Sequence, residues 1–435
     1  MNALLPLLTS ALLGGAEAVP PFAEDAELWE KARRLHARAL VLDGHSDVTF
    51  RFADPSFQFG ERHADGHMDI PRMREGGLDA QFFSIYMPDM GQAGTGRASL
   101  AALRIIDRVH EQIRRWPAHL ALAETAGDVR RIHREGRIAC LMGMEGGHII
   151  ENELANLRMF YRLGVRYLTL THSFHTDWAD SAGTGQPIEP RHGGLTDQGR
   201  AIVEEVNRVG MLVDISHVAD TTFRDALEVS RAPVIASHSS CRALCSSPRN
   251  MDDDMLRALA GNGGVVQINF YTGYLNDAIA RDDARLMRDW GEEEQRRREE
   301  ERRRVQSGEE PDDDLDRTLR RARRAWITER RQDHPTPFSL IVDHVEHAIA
   351  VAGPAHVGLG ADWDGIPALP DGMPDCSQLP HLTYELLARG HAEEVVLGVL
   401  GENVLRVLEQ AEQVARAMRE EDWQAEQVER LSRKP

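Results

Sequence analysis

Eight short apolar runs, rich in β-branched residues, recur along the chain: 39–47 (ALVLDGHSD), 79–87 (DAQFFSIYM), 138–147 (IACLMGMEGG), 165–172 (VRYLTLTH), 210–217 (GMLVDISH), 233–240 (PVIASHSS), 264–271 (GVVQINFY) and 356–364 (HVGLGADWD). The segments between them, such as SLAALRIIDRVHEQIRR, TDQGRAIVEEVNRVG and DDDMLRALAGNG, carry helical periodicity, and several open on Asp, Ser or Thr and stop at Gly. Strands that alternate with helices eight times close naturally into a (β/α)8 TIM barrel of the metal-dependent hydrolase type. Runs of nearly continuous apolar character suit strands covered on both faces. A doubly wound open sheet is the alternative that alternation alone leaves standing.

The barrel is preferred because of where the metal-capable residues fall. His45 and Asp47 end the first run, Glu145 the third, His172 the fourth and His217 the fifth; His238 lies near the end of the sixth, and Asp362 ends the eighth. In a parallel barrel these ends converge on one face, where active sites are built. Any one of these residues alone reads more readily as a hydrogen-bonded structural side chain. Together they read as a metal site, and scattered polar residues would not choose the same end of so many runs. His45 and Asp47, two apart on a strand, are expected on one face. Imidazole with carboxylate favours zinc over magnesium or calcium, with manganese, iron or cobalt as alternatives. The number of ligands suits a two-metal arrangement.

Competing motifs fail. Gly44–Val48 lacks the second glycine of a serine nucleophile elbow, HVEH at His344–His347 is not H-E-x-x-H and is placed on an exposed helix, and Gly358–Asp362 lacks the full dinucleotide fingerprint. With 70 acidic against 51 basic residues the formal net charge is -19, which argues against nucleic acid as a partner. Cys140, Cys241, Cys245 and Cys376 are too few for a disulfide scaffold and are expected as free thiols.

The domain expectation is one catalytic barrel over 25–415 with a tail over 416–435. Residues 276–334, dense in both charge signs, form an expected helical hairpin broken near Gly308–Pro311, inserted between the seventh strand and its following helix. It reads as a solvated decoration, with a lid or partner surface as the sharper alternative. The start, 1–18, fits either a cleaved export signal (apolar Leu4–Leu13, then Ala16-Glu17-Ala18) or an N-terminal helix, and no Lys or Arg precedes the apolar stretch. The first reading implies a periplasmic or secreted protein, the second a cytoplasmic one. No other stretch is long and apolar enough for a bilayer, and the polar ending EQVERLSRKP is no lipid-anchor signal, so no membrane anchor is expected.

The segments LVLDGHSD, CLMGMEGGH, RYLTLTHSFHTDWADSA, GMLVDISHVAD, APVIASHSSCRALCSSPRN, VVQINFY and VGLGADWDGIP, in this order over about 39–408, resemble the membrane dipeptidase (renal dipeptidase, peptidase M19) family of the amidohydrolase superfamily. The resemblance implies a (β/α)8 barrel with two Zn2+ per chain that hydrolyses dipeptides through a hydroxide shared by the metals. It implies His45 and Asp47 on one zinc, His217 and His238 on the other, and Glu145 bridging them. His172 would contact the substrate near the scissile carbonyl, Arg249 would hold its free carboxylate, Tyr274 and Asn269 would line the pocket, and Asp362 would carry the proton. A homodimer is implied by the resemblance alone. Animal members have a cysteine two positions after the fourth-strand histidine, where this chain has Phe174, so their disulfide is not expected. Retuning to another amide, lactam or ester is the alternative within hydrolases. An inactive scaffold is disfavoured, because every implied ligand and the proton carrier are present.

Overall fold

The computed structural model describes residues 20, 23–87, 94–183, 187–310, 312, 315–330 and 334–432; the segment 1–18 lies outside them. Nine parallel strands form the sheet: β1 (Leu42–Ser46), β2 (Ala80–Tyr86), β3 (Leu120–Leu122), β4 (Ile138–Glu145), β5 (Val165–Thr169), β6 (Leu212–Asp214), β7 (Ile235–Ser239), β8 (Val265–Ile268) and β9 (Val357–Leu359). Their order is β2-β1-β9-β8-β7-β6-β5-β4-β3, and an additional β2–β4 pairing closes eight of them into a barrel with helices around it. The open sheet is thereby excluded.

The eight apolar runs supply the eight barrel strands, and β3 is an addition. It pairs with Ile138–Cys140 at the start of β4, along the edge that β5 takes over from Met142 onward. Three residues of Leu and Ala between two helices carry no β-branched signal, so this strand is silent in the sequence.

Helix termini follow local chemistry. Thr196 and Asp252 accept backbone N–H groups of Gly199 and Met255, and Gly210 and Gly263 end the same two helices in the left-handed conformation. Inside the barrel Leu42, Phe82, Leu141, Tyr167, Leu212, Ile235 and Val265 pack into one cluster with Val404, Leu408 and Ala411 of the helix Asn403–Ser432. That helix is tied under the sheet by the Asn403 amide, which donates to the Pro354 and Val357 carbonyls at the start of β9. It therefore seals the end of the barrel opposite the strand C-termini.

Two long helices, Asp277–Gln306 and Leu315–Arg330, follow β8 and meet through Trp290 and Trp326, whose ring centroids are 5.8 Å apart. The first is laced with Arg–Glu pairs three and four residues apart, among them Arg296 with Glu293 and Glu300. The chain then enters the helix Ser339–Ala352. His344 on that helix is fully buried, not exposed: the Cys241 N–H donates to its Nδ1, and its ring lies 3.3 Å from the Leu275 carbonyl. The alternation of apolar residues there serves a helix packed on β8 and β9, and the two polar-looking histidines conceal it. All four cysteines are unpaired and buried.

Candidate metal centre

The C-terminal ends of β1, β4 and β7 and the loop after β6 deliver His45, Glu145, His238 and His217 to one buried spot. Glu145 is its hub. Its Oε1 lies 3.1 Å from His217 Nε2 and 3.3 Å from His238 Nε2, whereas its Oε2 lies 3.4 Å from His45 Nε2. His45 Nε2 is in turn 4.0 Å from Asp47 Oδ1. Three groups of potential ligand atoms close enough to share an ion overlap here: His45–Glu145–His238, Glu145–His172–His217 and His45–Asp47–Asp362.

Asp47 arrives by a different route from the one strand alternation suggests. β1 ends at Ser46, its register against β2 shifts between Asp43 and Ser46, and Asp47 begins the 3-10 turn Val48–Ala53. A bulge and a turn, rather than a regular pleat, put the two side chains together. His217 and Asp362 both sit in the left-handed region, with φ of 67° and 63°. Such a conformation costs a non-glycine residue on the order of 1–3 kcal/mol, and it persists where surrounding structure enforces it. At Gly365 a side chain is excluded outright, since a Cβ would lie 2.2 Å from Asp362 Oδ1 and 2.4 Å from Asp47 Oδ2.

The imidazoles are oriented from behind. His45 Nδ1 is 2.7 Å from the Tyr167 hydroxyl, and His238 Nδ1 is 2.8 Å from Ser237 Oγ. Ser237 also donates to Asp214, and Asp43 accepts the N–H groups of His45 and Ala361. These supporting residues escape the sequence reading, although Asp43 and Asp214 stand two and three positions before a site histidine.

The donor set calls for a cation. His217 Nε2 and His238 Nε2 approach to 2.9 Å, and His45 Nε2, Asp47 Oδ1 and His217 Nδ1 are buried with no hydrogen-bond partner among the described residues. Burial disfavours charge on His45, yet the attraction of Glu145 and Asp47 outweighs it and holds the imidazole up at about 10. Burial raises the carboxyls of Asp47 and Asp362, and the negative charge of Glu145 raises them further. Three crowded carboxylates with convergent imidazoles are the chemistry of a metal site.

The remaining residues singled out in the sequence line the same mouth. His172 lies 3.7 Å from Glu145 Oε1, and its ring packs against His217, tilted by 31° with centroids 4.2 Å apart. Burial, only partly offset by Glu145, lowers it to about 4, so it is a neutral imidazole at pH 7. Asn269 donates to Asp362 Oδ2 at 3.0 Å. Arg249 is buried, donates to the His238 carbonyl at 3.3 Å and lies over the Tyr274 ring at 5.4 Å. Its Nε has no hydrogen-bond partner among the described residues.

The sequence model of the membrane dipeptidase family, peptidase family M19, matches residues 29–422. The chain belongs to that family. Among curated relatives the dipeptidase aclJ of Aspergillus oryzae is 36% identical over 420 residues, covering 92% of this chain and 85% of its own, and the dipeptidase verJ of Clonostachys rogersoniana is 34% identical, covering 90% and 89%. Among solved structures, PvdM of Pseudomonas aeruginosa matches in fold, with a TM-score of 0.74 at 23% identity over 89% of this chain and 99% of its own. A metallopeptidase of Rhodobacter sphaeroides, solved with a phosphinate mimic of the dipeptide L-Ala-D-Ala, matches with a TM-score of 0.68 at 26% identity over 86% of this chain and 99% of its own. This member of the dipeptidase family is a metal-dependent hydrolase of the dipeptidase type, and its clustered His, Glu and Asp side chains are suited to metal binding. Among the described residues of the dipeptidase no helix is long and apolar enough to cross a membrane.

Proposed function

We propose that this dipeptidase holds two zinc ions on His45, Asp47, Glu145, His217 and His238 and hydrolyses the peptide bond of dipeptides, including those ending in a D-residue. The observation that carries the reading is the division of labour at Glu145: one carboxylate oxygen faces His217 and His238, the other faces His45, with Asp47 beyond. A carboxylate placed so can bridge two ions. The zinc pair, when bound, supplies Lewis-acid polarisation of the scissile carbonyl and a water acidic enough to attack at neutral pH.

The protein's own residues do the rest. Arg249, buried with an open Nε, receives the free carboxylate of the substrate, with Tyr274 against its guanidinium. His172 is neutral and its Nδ1 lies 2.9 Å from the Ser173 hydroxyl; in the tautomer where that hydroxyl donates, the proton sits on Nε2 and can stabilise charge developing on the carbonyl oxygen. Asp362, positioned by Asn269, accepts the proton of the attacking water and returns it to the leaving amine; its raised carboxyl suits that exchange. The phosphinate dipeptide bound by the Rhodobacter sphaeroides relative supports the substrate class and the D-configured C-terminal residue.

Metal analysis of the purified protein, run beside a panel of dipeptides, N-acyl amino acids and lactams, tests the proposal. Two zinc ions per chain and turnover of dipeptides, L-Ala-D-Ala among them, are expected. Turnover confined to lactams or acyl amino acids would point to a retuned hydrolase. Asp362→Asn should lower kcat by about 10²- to 10⁴-fold with zinc content retained; full turnover by that variant would remove Asp362 from the proton path.

A further inference from the structure

Arg249 and Tyr274 come from different parts of the barrel. Arg249 stands in the loop 240–252 after β7, and Tyr274 in the short helix Thr272–Leu275 after β8. Both strands have ended by then, so no strand pairing sets the guanidinium carbon over the tyrosine ring at 5.4 Å. Two buried side chains tie the segments together instead. Asn250 donates from Nδ2 to the Cys245 carbonyl and to the Tyr274 carbonyl, each at 2.9 Å. Both neighbours are acceptors, which fixes the sense of the amide, and its Oδ1 is left with no hydrogen-bond partner among the described residues. His344 reaches in from the helix Ser339–Ala352. Its Nδ1 accepts the Cys241 N–H at 3.0 Å, and its Nε2 lies 3.3 Å from the Leu275 carbonyl. A backbone N–H can only donate, so Nδ1 carries the lone pair and the proton of the neutral ring is on Nε2, facing the carbonyl. Burial lowers the imidazole to about 4 and so keeps that neutral form at pH 7. In each tie one end lies on the Arg249 loop and the other on the Tyr274 helix.

We propose that Asn250 and His344 are positioning residues that lock the loop after β7 to the short helix after β8, so that Arg249 and Tyr274 stand as one preformed receptor for the free carboxylate of the substrate. The inference rests on the dipeptidase reading and on the role given there to Arg249. Both residues act through backbone groups of the segments they tie. A guanidinium–carboxylate pair depends on its geometry being held. A receptor assembled before binding also loses less free energy to the ordering of two loops. Loosening either tie therefore weakens recognition of the carboxylate and leaves the contribution of the metal centre in place.

The test compares kcat/KM for L-Ala-D-Ala and for its C-terminal carboxamide on the zinc-loaded protein. The carboxamide offers Arg249 no anion, so the wild type should favour the free acid. Asn250→Asp keeps the side-chain volume but sets an acceptor against two carbonyl oxygens. It should lower the acid-to-amide ratio by about 10-fold, the scale of one weakened hydrogen bond to a charged group. His344→Gln keeps a donor for the Leu275 carbonyl and removes the acceptor from the Cys241 N–H; His344→Asn does the reverse. Each should lower the ratio by roughly threefold, as for one neutral hydrogen bond. Zinc content should be unchanged in all three. Leu408→Ala, at the far end of the barrel, should lower Tm and leave the ratio unmoved, since instability alone slows both substrates alike. In the wild type, which needs no variant to fold, the Cys241 amide should exchange with deuterium more slowly once a phosphinate mimic of L-Ala-D-Ala is bound. A ratio that Asn250→Asp or both His344 variants leave at the wild-type value, or that Leu408→Ala lowers equally, overturns the clamp. So does a Cys241 amide whose exchange the mimic does not slow. Wild type that cleaves the free acid with a ratio the variants do not move sinks the clamp alone. Wild type that cleaves both substrates equally removes Arg249 as the receptor and the clamp with it; wild type that cleaves neither sinks the dipeptidase reading and everything built on it.

Discussion

Tyr167 is a barrel-interior residue whose hydroxyl lies 2.7 Å from His45 Nδ1, on the side of the ring away from the candidate metal centre. Room for it is made by Gly143 on the neighbouring strand: a Cβ there would lie 1.9 Å from the Tyr167 ring. A metal-binding imidazole gains basicity and a fixed orientation from such a partner, and loss of the partner commonly weakens metal affinity by about 10- to 100-fold. Tyr167→Phe keeps the ring that fills the barrel and removes the oxygen. It should release zinc to a competing chelator at correspondingly lower chelator concentration, with little change in Tm. Equal chelator resistance in the two proteins would show that the hydroxyl does not position His45.

At the scale of elements, the loop after β5 carries His172 and is held by a carboxylate buried beneath it. Asp180 accepts backbone N–H groups from Arg191, His192, Gly193 and Gly194, at 2.7–3.1 Å. Burial alone would raise its carboxyl, but these four donors outweigh burial and hold it below the usual carboxylate range. The folded-state value is thus depressed, so its stabilisation is complete above the unfolded value of about 4 and fades as pH falls below it. Asp180→Asn replaces one acceptor oxygen with an amide that faces N–H donors, at a cost of about 1–3 kcal/mol at neutral pH. Its acid-unfolding curve should approach that of the wild type at low pH, and parallel curves would refute the role. The strands were legible as apolar, β-branched runs, and the barrel was legible because six of the eight runs end in metal-capable residues. β3 was not, because pairing along a spare stretch of β4 created it. Asp47 is brought beside His45 by a bulge, not by the alternation expected from the sequence. Asp43 and Asp214 passed as strand residues because their partners are backbone groups and side chains from other strands.

The whole molecule separates chemistry from cohesion along the barrel axis. The strand C-termini hold left-handed His217 and Asp362, convergent charges and unpaired donors, all of which cost stability; the opposite end is apolar and closed by the helix Asn403–Ser432. Val404 and Leu408, one turn apart on that helix, belong to the same apolar cluster as Leu42, Phe82 and Val265. Conservation of volume matters there, whereas the mouth tolerates strain in exchange for reactivity. Leu408→Ala should therefore cost about 2–5 kcal/mol through lost burial and the cavity left behind. The effect belongs to cohesion, because Leu408 packs in the apolar cluster at the end of the barrel opposite the candidate ligands. The variant should melt several degrees lower while its kcat/KM for a good dipeptide, measured well below the melting transition, stays at the wild-type value. A variant with unchanged Tm and impaired turnover would mean that the sealed end transmits its packing to the mouth, and the division along the axis would fall.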